Sequence, residues 1–405
     1  MARLWLIPAF ALFVSVSAAA DPQPSSVVRT LDGKSFSGQI LSLSEQEVKL
    51  RVDGKEITLP EAQVIAVDLQ PAGKQFGAPG APAPAHLQVR LVDGTMLRCQ
   101  AFALRGAETE VRLFSGLALK FPTRIVHYVL CEAHEEKNRA DLEQLLAKKA
   151  SQDQLRLLSR DGKTINVFEG IIGDADAKGE TIQFRPDGGD PVTVALTRVR
   201  GIVFSRAPDE KAPRPRYKVE DLFQNTFVAA TFAVTDDGYK LKTPAGLDIE
   251  LANPLVRRID MSIGKVAYLA DLEPVRVEET PILADIWRYR RNTNLQGGRI
   301  SLGGKTYDHG LAVHSRTVLE YDVTGFNHFR CVLGIDDSVT GPAHAVVRIE
   351  GDGKELYNQA VSGRDKPREI DLKITGCSRL RLIVDYGDDL DLGDHVDFAD
   401  ARVTK

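Results

Sequence analysis

Aromatic side chains are scarce in this 405-residue sequence: Phe, Trp and Tyr together make up 7%, and Trp5 and Trp287 are the only two tryptophans. Few positions can therefore offer a flat ring for stacking. Charge of one sign is also lacking. There are 52 Lys and Arg against 56 Asp and Glu, for a net charge of −4, so no basic footprint argues for nucleic acid or an anionic membrane. Beyond the first twenty residues no apolar stretch approaches the 18 or so residues of a membrane-spanning helix. G-x-S-x-G, Walker, G-x-G-x-x-G and H-E-x-x-H patterns are all missing, and no large α/β or barrel domain is evident to form a catalytic cleft. Catalysis is therefore not expected.

What is present is globular composition, 43% hydrophobic and 27% charged, with 33 Gly and 20 Pro. Residues 1–20 read as a secretory signal peptide: Arg3 as a short basic start, an apolar run from Leu4 to Val16, and Ala18-Ala19-Ala20 as the cleavage site. An uncleaved anchor is the alternative. Cleavage after Ala20 makes the protein secreted, or periplasmic at the cell envelope. Cys99, Cys131, Cys331 and Cys377 then meet an oxidising setting, where spacing suggests bridges 99–131 and 331–377, with buried free thiols equally open.

The middle of the chain repeats one small all-β pattern. Asp32-Gly33, Asp93-Gly94, Asp161-Gly162 and Asp237-Gly238 each mark a tight turn after an alternating strand. Each unit then closes with an apolar run, as at Val64 to Leu69 or Ile125 to Leu130. The expected units are small β-barrels at 26–70, 86–131, 153–205 and 217–275. Pro- and Gly-rich linkers fall at 71–85 and 206–216, and a connecting helix at 132–152 carries Leu142, Leu145 and Leu146 on one face. Strand rhythm and glycine placement in "VRTLDGKSFSGQILSLSEQEVKLRVDGKEITLP" resemble SH3- and Sm-type barrels, which implies spacers or contact modules for envelope proteins.

From about Ile286 the texture changes to alternating strands joined by Gly- and Asp-rich turns, as expected of a jelly-roll sandwich. "GGKTYDHGLAVHSRTVLEYDVTGFNHFRCVLGIDD", "VVRIEGDGKELYNQ" and "LRLIVDYGDDLDLGDHVDFADARV" resemble the NPCBM family of carbohydrate-binding modules, with "GKVAYLADLEP" and Trp287-Arg288-Tyr289 as a lead-in. The resemblance covers 285–405 and implies a galactose-binding-domain-like β-sandwich that binds glycan, of galactose type, through its loops. It departs at Asp397-Phe398, where Asp-Trp is usual.

On that reading the carbohydrate-binding candidates are His309, His314, Asp336, Asp394, His395 and Asp397. Asp308 and Asp337 are flanking acids, and Tyr307 or Tyr386 are stacking faces. Seven Asp lie between 385 and 400. Asp385, Asp388 and Asp391 are the candidate ligands of a structural Ca²⁺, against the alternative of a solvated acidic hairpin. His309, His314 and His395 match no zinc signature, and the H-x₃-C-x₂-H cluster of His127, Cys131 and His134 lacks a fourth ligand nearby. The expected function is non-catalytic glycan binding. The alternative is a structural or protein-contact scaffold whose sandwich holds no sugar.

Overall fold

The computed structural model describes residues 26–69, 84–148, 150–206, 209–280, 286–388 and 390–405. The expected leader at 1–20, most of the first linker and Asp389 lie outside the described residues. The chain is all-β, with one α-helix among the described residues, Glu136–Ala147. No helix among the described residues is long and apolar enough to cross a membrane.

The first unit shows how its residues form its strands. β1 (Ser26–Thr30), β2 (Ser35–Leu43), β3 (Glu47–Val52), β4 (Lys55–Pro60) and β5 (Val64–Asp68) pair in the order β5-β1-β2-β3-β4. Val48 and Leu50 alternate with exposed Lys49 and Arg51 along β3, so one face is dry and the other wet. Asp53-Gly54 closes the β3–β4 hairpin with both residues at positive φ, 48° and 79°. A register shift between Ile40 and Ser42 bends β2, and a single 3₁₀ turn at Glu61–Gln63 reverses the chain into β5. The same order and the same 3₁₀ turn recur in the units that end at Val126–Leu130 and Val199–Val203. The unit that ends at Val256–Asp260 keeps the 3₁₀ turn, but its second strand breaks after Ala229, and Thr231–Val234, Gly238–Lys242 and Asp248–Ala252 form a separate three-stranded sheet. Among the described residues no pairing joins β4 to β5. Each unit is thus a curled open sheet rather than the closed barrel expected.

Two of the expected boundaries need correction. The turn that Gly33, Gly94 and Gly162 make at φ 83°, 92° and 71° is made in the fourth unit by Gln224, at φ 60°. The hydrogen bonds are equivalent: Gly33 N–H donates to Thr30 O, and Gln224 N–H to Asp221 O. Gly238 sits instead at the start of a strand, where a Cβ would meet Leu251 O at 2.0 Å. The sandwich also begins earlier than 285, because Val266–Tyr268 and Arg276–Glu279 pair with its strands.

The units join through their closing strands. Val67 lies opposite Ile259, and Val129 opposite Ile202, in antiparallel pairs where each partner occupies the equivalent position of its unit. Each junction is therefore a local pseudo-two-fold. One continuous core, including Val28, Val89, Leu155 and Val219, runs through all four units. The helix does not merely bridge: Leu142, Leu145 and Leu146 cover Tyr128, Leu130 and Val203 at the second junction.

The C-terminal part is two antiparallel sheets around its own core. One runs Arg290–Arg291, Gly310–Val313, Val396–Thr404, His328–Ile335, Arg368–Lys373, and the other Arg276–Glu279, Thr317–Asp322, Arg379–Tyr386, His344–Gly351, Lys354–Ser362. Lys265 ties the sandwich to the first unit. Its half-buried ammonium donates to Glu61 O, Glu61 Oε1 and Val64 O at 2.7–2.9 Å. Cys99, Cys131, Cys331 and Cys377 are free thiols, so neither expected bridge forms. Cys99 and Cys331 are buried, and burial pushes the Cys99 thiol up to about 12, as befits an inert core residue.

Candidate functional site

Three neighbouring strands of the first sheet end at one rim. Val313 pairs with Val396 and Val396 with Ile335, so the residues just beyond, His314, His395 and Asp336, fall side by side. Asp336 N–H donates to His395 O at 3.0 Å. Asp397, one step inside on the middle strand, pairs with Ala312 and Gly334. Above them stands Trp287, 44% exposed. Its ring lies 5.5 Å from His314 with planes inclined 12°, and 5.1 Å from His395 at 50°. The segment carrying it is held by Tyr289 N–H donating to Glu279 Oε1 at 2.6 Å, by the double Arg291–Glu273 bond, and by pairing of Arg290 with Ala312.

Beneath this face Asp336 and Asp397 are 1% and 0% exposed. Burial above all, and then the adjoining Asp336 carboxylate, push Asp397 up to about 10, so Asp397 holds its proton at neutral pH. Burial alone would raise Asp336 as well. The adjoining Asp397 and Ser338 side chains and hydrogen bonds from the backbone N–H groups of Ser301 and Ser338 outweigh it, and Asp336 lies below the usual carboxylate range. Asp336 also accepts from Asn294 Nδ2 at 3.1 Å and Ser338 N at 3.0 Å. The pair is thus one neutral and one ionised acid, locked under the rim. Burial, reinforced by His395, lowers His314; burial lowers His395 against the pull of Asp336. Both imidazoles are neutral at pH 7 and largely buried, with His314 Nδ1 beside Ser315 Oγ and His395 Nδ1 enclosed without a partner.

Four of the six candidate residues, His314, Asp336, His395 and Asp397, come together. Asp394 is fully buried next to them in the chain. His309 does not join them: it lies at the far end of strand Gly310–Val313, about 16 Å away at strand rise. There it stacks on Tyr268, with centroids 4.2 Å apart. Asp337 anchors the hairpin Ile300–Tyr307, accepting from Ser301 Oγ and from Gly303 and Gly304 N–H at 2.6–2.8 Å. Asp308 is exposed and paired with Arg299, Tyr307 lies under Lys305, and Tyr386 is exposed.

Phe398 is fully buried between Leu311 and Leu333 as a core residue, so the Trp-to-Phe departure falls in packing and not on a ligand face. The exposed ring at the rim is Trp287 instead, stacked on His314. Sequence reasoning noted it only as a lead-in, although its being the sole tryptophan past residue 20 was the available signal. Asn294 and Ser301, which orient Asp336, carried no signal.

Among the described residues no three His, Cys, Asp or Glu side chains gather as a metal set. Asp385, Asp388 and Asp391 form no such cage, and Asp388 instead meets His344. His127 packs on Tyr128 and His134 on His86, while Cys131 donates to Val199 O with its thiol pushed by burial to about 11.

Residues 265–404 match the NPCBM/NEW2 domain. A Renibacterium salmoninarum protein named "Putative endo-alpha-N-acetylgalactosaminidase" is 33% identical over 90 residues, which is 22% of this chain and 6% of that protein. Among solved structures, the CBM51 module of a Clostridium perfringens family 95 enzyme, in complex with methyl-galactose, aligns at TM-score 0.32 and 22% identity over 34% of this chain and 99% of that one. Tandem CBM51 modules of a Streptococcus pneumoniae family 98 glycoside hydrolase align at TM-score 0.31 and 12% identity over 93% and 87%.

Proposed function

Taking residues 265–404 as an NPCBM/NEW2 domain, we propose that the rim of its first sheet binds a glycan without cleaving it. The observation that carries this reading is the exposed Trp287 ring set against His314 and His395 above a buried acid pair. An indole face takes the C–H side of a sugar ring, and two neutral imidazoles take hydroxyls as donor and acceptor. Asp336 ties its strand end to that of His395 through its backbone N–H. Catalysis is disfavoured by the same geometry. Glycoside hydrolysis needs two carboxyl groups facing the scissile bond, and Asp336 and Asp397 are buried beneath the rim. Asp394 belongs to this rim as a positioning residue. His309 does not.

The 33%-identical segment comes from a protein named for N-acetylgalactosamine, which makes galactose-configured sugars the first ligands to test. The proposed setting is outside the cytoplasm, at the envelope or beyond, with the four fused units as a rigid spacer offering surface to envelope proteins. Calcium at Asp385, Asp388 and Asp391 is not needed for this reading. The decisive experiment is titration of the full chain with galactose, N-acetylgalactosamine and their oligosaccharides, with and without EDTA. Specific binding lost in Trp287→Ala supports the reading. Silence across a broad glycan panel moves the protein to a scaffold.

A further inference from the structure

A cleft of about 810 Å³ lies between the sandwich and the first and fourth units, far from Trp287. Its size is that of a ligand site. The junction flanking it is fixed. Lys265 is sunk among three acceptors of the first unit, Met261 N–H donates to Ile65 O, and Arg330 donates to Leu31 O. The cleft is therefore a built feature of the fold.

Its floor is one face of four adjoining strands. Lys218 pairs across with Asp260, Asp260 with Ala66 and Ala66 with Arg29, while Arg258, two residues from Asp260, shares their face. Arg29 and Arg258 share a single carboxylate, Asp68, at 2.7 and 3.3 Å. No carboxylate of the described residues lies within ion-pair distance of Lys218. On this floor Arg29, Arg258 and Lys218 meet Asp68, Asp260 and Glu220. Along the lining of the cleft itself Arg29, Lys34, Lys218, Arg258 and Arg402 outnumber Asp260, Asp271 and Asp400, and positive charge is in excess. The opposite wall carries the stacked Tyr268–His309 pair, and His309 Nδ1 is buried there without a hydrogen-bond partner. Arg402, paired with Asp400, stands beside it.

We propose that this cleft is a second binding site, for a polyanionic glycan whose carboxylate or sulfate groups face Lys218, Arg29 and Arg258. The sugar ring lies along Tyr268 and His309. A general attraction for polyanions does not arise from a chain of net charge −4, so any such binding is local. His309, which the candidate rim leaves out, belongs here.

The test is calorimetric titration of the full chain at low salt with polygalacturonate as the carboxylate probe, dextran sulfate as the sulfate probe and neutral galactan as control. Binding of at least one polyanion, weakening with added salt, is expected. Lys218→Glu, at an exposed position that the fold does not need, weakens it about tenfold, and Lys218→Gln by less. Trp287→Ala leaves it unchanged, which separates this site from the proposed rim. The two probes decide between uronate and sulfate ester. The proposal is overturned if neither polyanion binds, if Lys218→Glu is without effect, or if Trp287→Ala abolishes the binding.

Discussion

Trp287 lies face to face with His314, planes 12° apart, although it belongs to an extended segment with little regular structure of its own. The indole is thereby pre-oriented without being buried. Trp287→Ala is expected to lower glycan affinity at least about tenfold, about 1.4 kcal/mol. The melting temperature should stay close to wild type, since an exposed ring contributes little to the core. Calorimetry and a thermal melt on the same sample check both halves.

Asp397 links stability to pH. Its pKa is raised from the ordinary carboxylate value to about 10 in the folded protein. The stability it contributes is fully present below the unfolded value, about 3.9, and is lost as pH rises toward 10. Asp397→Asn keeps a neutral side chain of the same shape. Denaturant unfolding between pH 6 and pH 9 should show wild-type stability falling with pH and the variant falling less. Equal slopes would remove Asp397 from this role.

Ligand binding has its own pH limit, on the acid side. Burial holds both rim imidazoles below the ordinary histidine range, about 6.5, so they stay neutral at pH 7. Protonation at lower pH removes an acceptor and sets two like charges side by side, with ring centroids 5.9 Å apart. Affinity measured from pH 8 downward should be flat and then fall below that range. Affinity that rises on acidification would contradict neutral imidazoles as the binding form.

Phe398→Ala should cost about 3–5 kcal/mol in unfolding free energy, the usual range for deleting a buried ring. Phe398→Trp overfills the site between Leu311 and Leu333 and should also destabilise, without improving sugar affinity. Urea unfolding with a parallel glycan titration reads both.

Two glycines separate turn strain from close contact. Gly33 has φ 83° and open space around it, so Gly33→Ala carries only the left-handed backbone cost, about 1–2 kcal/mol. Gly238 has ordinary φ, yet a Cβ there drives into Leu251 O at 2.0 Å. Gly238→Ala should be the more damaging change, by thermal melt of the full chain.

That pair also marks how far the sequence could be read. Alternation at Val48, Leu50 and Val52, with Asp53-Gly54 after it, was enough to place strands and a hairpin, because period two and positive φ are local properties. Asp237-Gly238 does mark a tight hairpin, between Thr231–Val234 and Gly238–Lys242, but not the turn equivalent to Gly33, Gly94 and Gly162. There glycine answers to a neighbouring strand that only the fold brings near, while Gln224 makes the equivalent turn with no local signature. The rim follows the same division. His314, Asp336, His395 and Asp397 sat in motifs, whereas Trp287 over His314, and His309 at the wrong end of its strand, depend on which strands lie side by side. Barrel closure and the cysteine bridges likewise rest on long-range geometry that spacing does not carry.

The pseudo-two-fold junctions have a consequence for how this arm can grow. Val64–Asp68, Val126–Leu130, Val199–Val203 and Val256–Asp260 each have one edge against their own unit and the other against a partner. A fifth copy would find no vacant closing strand, and two molecules cannot polymerise by the contact that joins the first unit to the fourth and the second to the third. The assembly is self-capping, with its length set by pairing off in twos.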